Sequence, residues 1–372
     1  MQTKVLIVGA SISGLATAAC LRRANVEFSI IEKQDTVAAP WRHHYDRLHL
    51  HTNKRLSVLP YRKWSRSAPR YPSRSEVIDY LESYQTMFDI RPLFNTEARS
   101  VRKSAEGWIT ETNNGIFESK YVVMATGAYG KARTVRFPGQ DSFPGNLLHS
   151  YDYRTGAAFA GQRVLVVGFG NSACEIAIDL NEKGASVSMA VRSAVNVIPR
   201  DILGIPVLEL SLLLRHLPPR LADMISRPLV WGVLGDLTRL GLRRKPYGPL
   251  EQFAREGNPP VLDIGIVRLI RDGRVRVFSG IDRIVGDTIY FTDGQSAAFD
   301  AIVAGIGYER NCSPIVDAEG RRFDDLRVCI GKQRYFGADG LYFCGYWVSP
   351  TGQIREIARD AKKIAGDIGK RG

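Results

Sequence analysis

The chain has 372 residues, 44% of them hydrophobic, and a formal net charge of +13 at pH 7. Its length predicts two domains, and its apolar content is sufficient for ordinary cores. No stretch reaches about 18 consecutive uncharged apolar residues, so we expect no membrane-spanning helix. The basic residues are scattered and accompany no nucleic-acid-binding motif, so we exclude a nucleic-acid partner and interpret the charge as a basic surface around anionic cofactors.

The start of the chain and its cysteines indicate the compartment. Met-Gln-Thr-Lys runs directly into a predicted strand, so we expect no secretory signal. The five cysteines are widely separated and form neither a C-x-x-C pair nor a disulfide-like framework. This usage fits a reducing environment, and we therefore predict a cytoplasmic protein.

A buried strand and a glycine-rich turn open the chain. "KVLIVG" is a continuous apolar run, typical of a parallel strand with both faces buried, and a helix start of small residues follows it. The turn would let a pyrophosphate approach the N–H groups at the helix N-terminus, although Ser11 stands where a second glycine is usual. The next strand, "EFSIIEK", ends at Glu32, whose carboxylate can accept from both hydroxyls of a free ribose, which suits FAD or NAD. The contacts predicted here are Gly9, Ser11, Ser13, Gly14, Glu32 and Lys33.

An irregular, aromatic and basic segment covers residues 36–70. It holds four of the six histidines, namely His43, His44, His49 and His51. No further ligand-like cluster accompanies them, so we predict no metal site. An amphipathic helix follows in "YPSRSEVIDYLESYQTMF", with a serine near its start, and then "EGWITETNNGIFESKYVVMATGAYG" predicts a hairpin that leads into a buried strand.

The stretch "VLVVGFGNSACE" repeats the opening strand, turn and helix start. Its turn ends in Ala173, an accepted variant of the third glycine. The following strand, "SVSMAVRS", ends at Arg192, where a guanidinium can fork onto a 2′-phosphate, which indicates NADP. The contacts predicted here are Gly168, Gly170, Asn171, Ser172, Arg192 and Ser193. One turn is therefore predicted to hold FAD and the other NADPH.

The buried strands that end in "VVMATG" and "AIVAGIG" are interpreted as crossings between two nucleotide-binding domains. We predict an α/β fold with two Rossmann-like dinucleotide-binding domains. The FAD-binding domain covers residues 1–150 and 298–372, and the NADPH-binding domain, residues 151–297, is inserted into it. Residues 202–242 form an apolar insertion that predicts a lid or substrate pocket. An oligomer contact, as in a homodimer, and a helical pair touching a membrane are the alternatives.

One motif carries a family resemblance. In "FPGNLLHSYDY", the residues Phe143, Gly145, His149 and Tyr153 match the pattern F-x-G-x-x-x-H-x-x-x-Y, just before the second turn. "YDRLHLHT", "GFGNSACE", "VRSAVNVIPR" and "PVLDIG" are similar to YUCCA-type sequences. Over nearly its whole length the chain resembles the class B flavin-dependent monooxygenases, in their flavin-containing monooxygenase and YUCCA branch. It departs from that family at Ile306, where the A-T-G-Y motif has threonine, and in "SPTGQ" near the C-terminus.

The resemblance implies an FAD- and NADPH-dependent monooxygenase that uses dioxygen as co-substrate. NADPH would reduce FAD, dioxygen would add at flavin C4a, and the (hydro)peroxyflavin would transfer one oxygen atom to a small organic substrate. The protonated form would oxygenate nitrogen or sulfur. The deprotonated form would attack a carbonyl, in a Baeyer–Villiger insertion or the oxidative decarboxylation of a 2-oxo acid, and the sequence leaves these modes open.

Two other classes are alternatives. One is an FAD/NADPH oxidase or reductase that transfers no oxygen, such as a pyridine-nucleotide disulfide reductase, which needs two close cysteines that this sequence lacks. The other is a non-catalytic, nucleotide-binding redox sensor. Absence of NADPH oxidation would favour the sensor.

The resemblance also implies roles for individual residues. Asn53 is the candidate catalytic residue, which would steady the oxygenated flavin and the nicotinamide, with an ordinary turn asparagine as the alternative. The backbone N–H groups that open the last helix could stabilise charge on the reduced flavin. His49 and His51 would share a strand face beside the flavin, with plain structural histidines as the alternative. The further FAD contacts are Trp41, Arg42, His51, Thr52, Ala98, Thr126, Gly127, Thr351, Gly352 and Gln353.

Overall fold

The computed structural model describes residues 1–127, 129–214, 216–310, 315–318, 321–322, 338–347, 349 and 352–371. Its strands, in chain order, are β1 (Gln2–Val8), β2 (Ser29–Ile31), β3 (Ala98–Lys103), β4 (Trp108–Thr112), β5 (Gly115–Met124), β6 (Tyr129–Ala132), β7 (Asn146–His149), β8 (Arg163–Val167), β9 (Ser186–Ala190), β10 (Val197–Pro199), β11 (Asp201–Ile202), β12 (Ile205–Pro206), β13 (Val261–Asp263), β14 (Val275–Phe278), β15 (Ile281–Val285), β16 (Thr288–Phe291), β17 (Ser296–Ala298), β18 (Ala301–Ala304), β19 (Tyr308–Arg310), β20 (Val316–Ala318), β21 (Arg321–Arg322) and β22 (Leu341–Phe343). Its helices are α1 (Ile12–Arg23), α2 (Ala39–His43), α3 (Arg74–Met87), α4 (Asn171–Glu182), α5 (Val207–Leu214), α6 (Pro219–Leu234), α7 (Pro249–Glu256), α8 (Ile266–Arg271) and α9 (Gln353–Lys370).

The chain packs as two units. The first comprises Met1–His43, Thr52–Lys131 and Glu309–Gly372. The second comprises His44–His51 and Ala132–Tyr308. The chain therefore passes between the units at residues 43/44, 51/52, 131/132 and 308/309. The last two follow closely on the strands ending in "VVMATG" and "AIVAGIG", which the sequence indicated as crossings, whereas the domain bounds were predicted at residues 150 and 298.

The first unit is built on a mixed sheet of order β2-β1-β5-β4-β3-β20-β21, with β22 also paired to β5. Strand β1 lies parallel to both β2 and β5, and its residues 5–8 are buried, as a continuous apolar run requires. The predicted hairpin is confirmed, since β4 and β5 pair antiparallel with Trp108 opposite Ser119. Because its side chains are small, α1 is buried from Ile12 to Leu21, and its N-terminus lies close to the end of β1.

The second unit is built on a parallel sheet of order β14-β9-β8-β18-β7. Strand β18 lies between β8 and β7, with Val303 opposite Val166 on one side and Leu148 on the other. These pairings explain why the unit bounds differ from residues 150 and 298, because both β7 and β18 complete the second sheet rather than the first. A separate antiparallel sheet, β15-β16-β17, packs phenylalanines around Phe278 and Phe291.

The predicted apolar insertion folds into α5 and α6 with short strands before them. Helix α6 turns Ala222, Asp223 and Leu234 inward and leaves most of its other apolar side chains exposed. Pro219 lies in its first turn, where a missing N–H costs nothing, and Gly235 ends it at a positive φ of 68°. Across the described part of the chain, no helix combines the length and apolarity needed to cross a membrane.

Candidate cofactor and active site

The first glycine turn, between β1 and α1, is shaped for a close backbone approach. Gly9 has a φ of +105°, and a Cβ there would lie 2.9 Å from the carbonyl oxygen of Ala125. A Cβ on Gly14 would overlap the carbonyl oxygen of Gly9. The first turn of α1 carries no acidic side chain, and the Ser11 hydroxyl makes no capping hydrogen bond. The N–H groups at this helix N-terminus therefore fit the pyrophosphate of a dinucleotide.

Glu32 is fixed at the end of β2. Its side chain is buried, with one carboxylate oxygen accepting the N–H of Ala10 at 2.7 Å and the other accepting the N–H of Gln34 at 3.1 Å. A carboxylate has about four acceptor sites, so two backbone bonds leave capacity for ribose hydroxyls. The neighbouring Lys33 is exposed.

Arg42 joins α2 to α3. Its Nε donates to the carbonyl of Val37 at 3.3 Å, its Nη2 forms an ion pair with Glu82, and Arg74 donates to its carbonyl at 2.9 Å. The same short helix holds Trp41, which is partly buried. Helix α3 itself begins with a reciprocal capping box between Ser73 and Glu76, which accounts for the serine predicted near its start.

Several predicted FAD contacts lie together in the first unit. A Cβ on Gly345 would overlap the Ser13 hydroxyl, so α1 and the chain after β22 touch at this point. Gln353 donates to the carbonyl of Gly345 at 3.0 Å, and a Cβ on Gly352 would lie 3.1 Å from the methyl of Thr52. The start of α9 is thus brought beside both α1 and the segment that holds Thr52.

The remaining predicted FAD contacts lie elsewhere in that unit or outside it. The Thr126 hydroxyl bonds that of Tyr346, and Gly127 follows it with a φ of +84°. Ala98 begins strand β3, and Thr351 lies outside the described residues. His51 packs with the second unit.

Asn53 is almost fully buried beside Thr52. Its Oδ1 accepts the N–H groups of Arg55 at 2.9 Å and Leu56 at 3.2 Å. This is the asparagine turn that the alternative interpretation describes. Because the oxygen faces its own turn, the amide NH₂ is directed away from it.

The second glycine turn, between β8 and α4, repeats the first. Gly168 has a φ of +109°, and a Cβ there would lie 2.5 Å from the carbonyl oxygen of Gly305. Gly170 caps α4, and a Cβ at this position would meet no described heavy atom within 4 Å. The first turn of α4 carries no acidic side chain, so this N-terminus also fits a pyrophosphate. Asn171 uses its Oδ1 to accept the N–H of Leu262 at 2.8 Å, which ties α4 to β13.

Arg192 and Ser193 are exposed just beyond the end of β9. The stem of Arg192 packs on Gly280, where a Cβ would lie 3.1 Å from its Cγ. Arg243 donates from its guanidinium to the carbonyl of Arg192, and its own carbonyl accepts the N–H of Val195 at 2.8 Å. The sequence showed "LRRKP" only as a short basic cluster. The fold brings one of its arginines, Arg243, beside Arg192, while Arg244 donates to the carbonyl of Gly235.

The family motif before the second turn makes close contacts with Asp300, just before β18, and with α4. A Cβ on Gly145 would overlap the carbonyl oxygen of Asp300, so only glycine lets these two segments meet. Tyr153 donates to Asp179 at 2.6 Å, and burial together with that carboxylate raises the pKa of its hydroxyl well above the usual range. Burial lowers the pKa of His149, whose Nε2 lies 3.2 Å from the carbonyl of Gly307.

Metal and thiol chemistry find no support in the described residues. No group of three or more His, Cys, Asp or Glu side chains there could hold a metal ion. Cys20, Cys174 and Cys344 are buried and unbridged. Burial raises the pKa of Cys20 to about 11 and that of Cys344 to about 12, so neither provides a thiolate at neutral pH.

Two glycine turns of this geometry, each on its own sheet, define a protein that binds two dinucleotides. A family profile described as pyridine nucleotide-disulphide oxidoreductase matches residues 6–201. The indole-3-pyruvate monooxygenase YUCCA6 of Arabidopsis thaliana is 39% identical over 99% of this chain and 90% of its own length. The probable indole-3-pyruvate monooxygenase YUCCA8 of the same plant is 37% identical over 98% and 88%.

Solved structures agree on the fold. The flavin-containing monooxygenase from Stenotrophomonas maltophilia aligns with a TM-score of 0.71 at 21% identity, covering 100% of this chain and 99% of that one. An oxidized steroid monooxygenase bound to NADP aligns with a TM-score of 0.78 at 19% identity, covering 99% and 85%.

The chain belongs to the class B flavin-dependent monooxygenases, in their YUCCA-like branch. It is an FAD- and NADPH-dependent enzyme that inserts one atom of dioxygen into a small organic substrate. The bound flavin supplies the oxygen chemistry, while the protein binds and orients the reactants and excludes water.

Proposed function

We propose that this monooxygenase oxidatively decarboxylates a 2-oxo acid that carries an aromatic side chain. The observation that carries the proposal is full-length similarity to relatives named for indole-3-pyruvate. One oxygen atom would enter the product acid, carbon dioxide would leave, and the second oxygen atom would become water at the expense of NADPH. An amine, sulfide or cyclic ketone substrate would release no carbon dioxide.

The insertion supports a substrate of this kind. Helix α6 and residues 244–251 enclose a cavity of about 420 Å³ within the second unit. Its walls include the apolar side chains of Val230 and Leu234 and the ring of Trp231. Arg227 also borders it and, among the described residues, forms no ion pair, so it can attract a carboxylate. We infer that residues 202–242 form the substrate pocket with its lid.

We further propose that the two turns bind different cofactors. FAD would occupy the first turn and the residues predicted for it in the first unit, from Gly9 to Gln353, with Asn53 beside the flavin. NADPH would occupy the second turn, with Arg192 and Ser193 at its 2′-phosphate. The buried carboxylate of Glu32 and the exposed guanidinium of Arg192 support this order, since they suit a free and a phosphorylated ribose respectively.

The setting of the enzyme is also a proposal. Three unbridged cysteines support a reducing, cytoplasmic compartment. Exposed apolar side chains on α6, including Met224 and Ile225, favour the lid but also suit a homodimer contact or a membrane surface. Size-exclusion chromatography and sedimentation with vesicles distinguish these three arrangements.

The test is a substrate panel with product analysis. The FAD-loaded enzyme is supplied with NADPH, oxygen and, in separate reactions, indole-3-pyruvate, phenylpyruvate, a tertiary amine, a sulfide and cyclohexanone. We expect the two 2-oxo acids to give carbon dioxide and the shortened acid in proportion to NADPH consumed. Coupled turnover of only the amine or sulfide would contradict the proposal. Hydrogen peroxide as the sole product with every compound would also contradict it.

A further inference from the structure

Residues 44–51 leave the first unit and pack with the second. The chain on both sides of this segment belongs to the first unit. The N–H of Asp46 donates to the carbonyl of Arg154 at 2.9 Å, and Arg47 forms a bidentate ion pair with Glu182 at 2.8 and 2.9 Å. The segment is therefore held along α4, the helix that begins at the second glycine turn.

A histidine and a carboxylate meet at the end of this segment. Nε2 of His51 bonds Oε1 of Glu175, whose side chain is 1% exposed. The second oxygen, Oε2, is buried and has no hydrogen-bond partner among the described residues. A carboxylate in such a position is costly unless it is hydrogen-bonded, and the bond from His51 satisfies one of its two oxygens.

The neighbouring charged groups are already engaged with one another. Arg47 pairs with Glu182, and Asp179 accepts from the hydroxyl of Tyr153 and from the N–H of Gly156. Tyr45 is buried beside Glu175, and burial followed by the charge of that carboxylate raises the pKa of its hydroxyl well above its usual value. Tyr45 therefore remains a neutral hydroxyl, hydrogen-bonded to Glu175 and to Ser172, and brings no charge of its own.

Glu175 lies close to the phosphate-binding end of α4. Gly170 caps this helix, and a rise of about 1.5 Å per residue puts Glu175 roughly 7.5 Å along the axis from it. Ser172, in the first turn of the helix, is hydrogen-bonded to Tyr45. An unpaired carboxylate at this distance would repel the phosphates of a dinucleotide and oppose the favourable helix terminus.

We propose that His51 is a positioning residue for NADP binding, which acts by hydrogen-bonding the buried carboxylate of Glu175 beneath the second turn. With the carboxylate held in this bond, the helix N-terminus keeps its affinity for the phosphates. This inference rests on the proposed placement of NADP at that turn. It gives His51 a role at the second nucleotide instead of the flavin contact expected from the sequence.

Calorimetric titration of NADP⁺ into the FAD-loaded enzyme tests the pair without turnover. His51→Leu removes the hydrogen bond and leaves the buried carboxylate unsatisfied beneath the turn, so we expect the dissociation constant to rise about 5- to 30-fold. Glu175→Gln removes the repulsion as well as the pairing, so affinity should stay within about threefold of wild type. The double variant His51→Leu/Glu175→Gln should recover to the same range.

A matched control shows whether the recovery is specific. Glu182→Gln removes a carboxylate from the same helix two turns further on, together with its ion pair to Arg47, so this single variant is measured as well. The double variant His51→Leu/Glu182→Gln should bind NADP⁺ no more tightly than His51→Leu. A structural role for the pair would instead make His51→Leu and Glu175→Gln weaken binding together, with the double variant at least as weak as either. Unchanged affinity in His51→Leu would also overturn the inference.

Two further measurements separate other causes of failure. Arg192→Ala reports on the placement of NADP, so if it leaves NADP⁺ affinity unchanged the proposed site is wrong, whatever His51 does. Should His51→Leu lose flavin or fold poorly, His51→Gln retains a side-chain NH₂ of similar reach that can donate to Glu175. We expect His51→Gln to keep NADP⁺ affinity within about threefold of wild type, and a loss as large as that of His51→Leu would contradict the inference.

Discussion

The two glycine turns share one backbone device and differ at the ends of the strands that follow. Gly9 and Gly168 have φ angles of +105° and +109°, and at either position an added Cβ would crowd a carbonyl oxygen at the end of a neighbouring strand. Beyond the first turn, Glu32 is buried and held by two backbone N–H groups. Beyond the second, Arg192 is exposed, with Arg243 bonded to its carbonyl.

The turns therefore account for the binding of a dinucleotide, and the residues at the ends of the following strands account for which dinucleotide is bound. Any dinucleotide offers a pyrophosphate, so the turn and helix N-terminus are alike in both units. The ribose differs between FAD and NADPH, and so does the residue that would meet it. A fixed carboxylate rejects a phosphate, whereas an exposed guanidinium attracts one. The following variants challenge this comparison, from the largest expected effect to the smallest.

Gly14→Ala should have the largest effect. The added methyl would overlap the carbonyl oxygen of Gly9, so the first turn must open or α1 must shift. Overpacking of this kind costs about 1–3 kcal/mol or more, and we expect FAD to be lost on purification. The measurement is the ratio of flavin to protein absorbance, together with the melting temperature.

Gly170→Ala is the matched variant in the second turn. Its φ of −93° suits alanine, and the methyl would meet no described heavy atom within 4 Å. We expect full FAD content and an unchanged melting temperature, with NADP⁺ affinity lowered at least about tenfold because the methyl occupies the phosphate path. Equal flavin loss in Gly14→Ala and Gly170→Ala would refute the distinction between the turns.

Glu32→Gln should have the next largest effect. An amide cannot accept at both ends, so either Ala10 or Gln34 would lose its acceptor. Losing a hydrogen bond to a charged group costs about 1.5–3 kcal/mol, so FAD should dissociate roughly 10- to 100-fold more readily. Flavin fluorescence on dilution measures this, and NADP⁺ affinity should be unchanged. Weakening of NADP⁺ alone would reverse the assignment of the turns.

Arg243→Ala should have a moderate effect confined to NADPH. The variant loses the bond to the carbonyl of Arg192 and one positive charge beside the proposed 2′-phosphate site. We expect KM for NADPH to rise about 3- to 10-fold and KM for NADH to change little. Arg239→Ala is the control, because the Arg239 side chain is 87% exposed and its ion pair with Asp236 is long, at 3.9 Å. Equal effects of the two variants would remove Arg243 from the site.

Ser11→Gly should have the smallest effect. The hydroxyl caps nothing within the helix, and glycine at such a position costs only a few tenths of a kcal/mol. FAD affinity should stay within about threefold of wild type. A tenfold loss would show instead that the hydroxyl donates to the pyrophosphate, and flavin release on dilution again provides the measurement.

Local patterns explain what the sequence predicted well. The strand-turn-helix units, the β4–β5 hairpin and helix α3 with Ser73 at its start are all decided by residues close together in the chain.

Long-range packing explains what the sequence did not predict. Strand β7 pairs with β18 across more than 150 residues, which places both strands in the second unit and moves the domain bounds away from residues 150 and 298. The contact of Arg243 with Arg192 spans the insertion, and that of His51 with Glu175 spans 124 residues. Periodicity and spacing carry no information on such contacts. The arginine run and the glutamate after the second turn were visible, but their partners were not.

The most direct test exchanges the selecting residue between the two turns. Arg192→Glu gives the second turn the type of side chain that ends the strand after the first. The measurement is kcat/KM for NADPH and for NADH, with FAD content checked in the same samples. We expect the wild type to prefer NADPH and the variant to prefer NADH at full flavin occupancy. An unchanged preference for NADPH, or loss of FAD without a change in preference, would contradict the assignment.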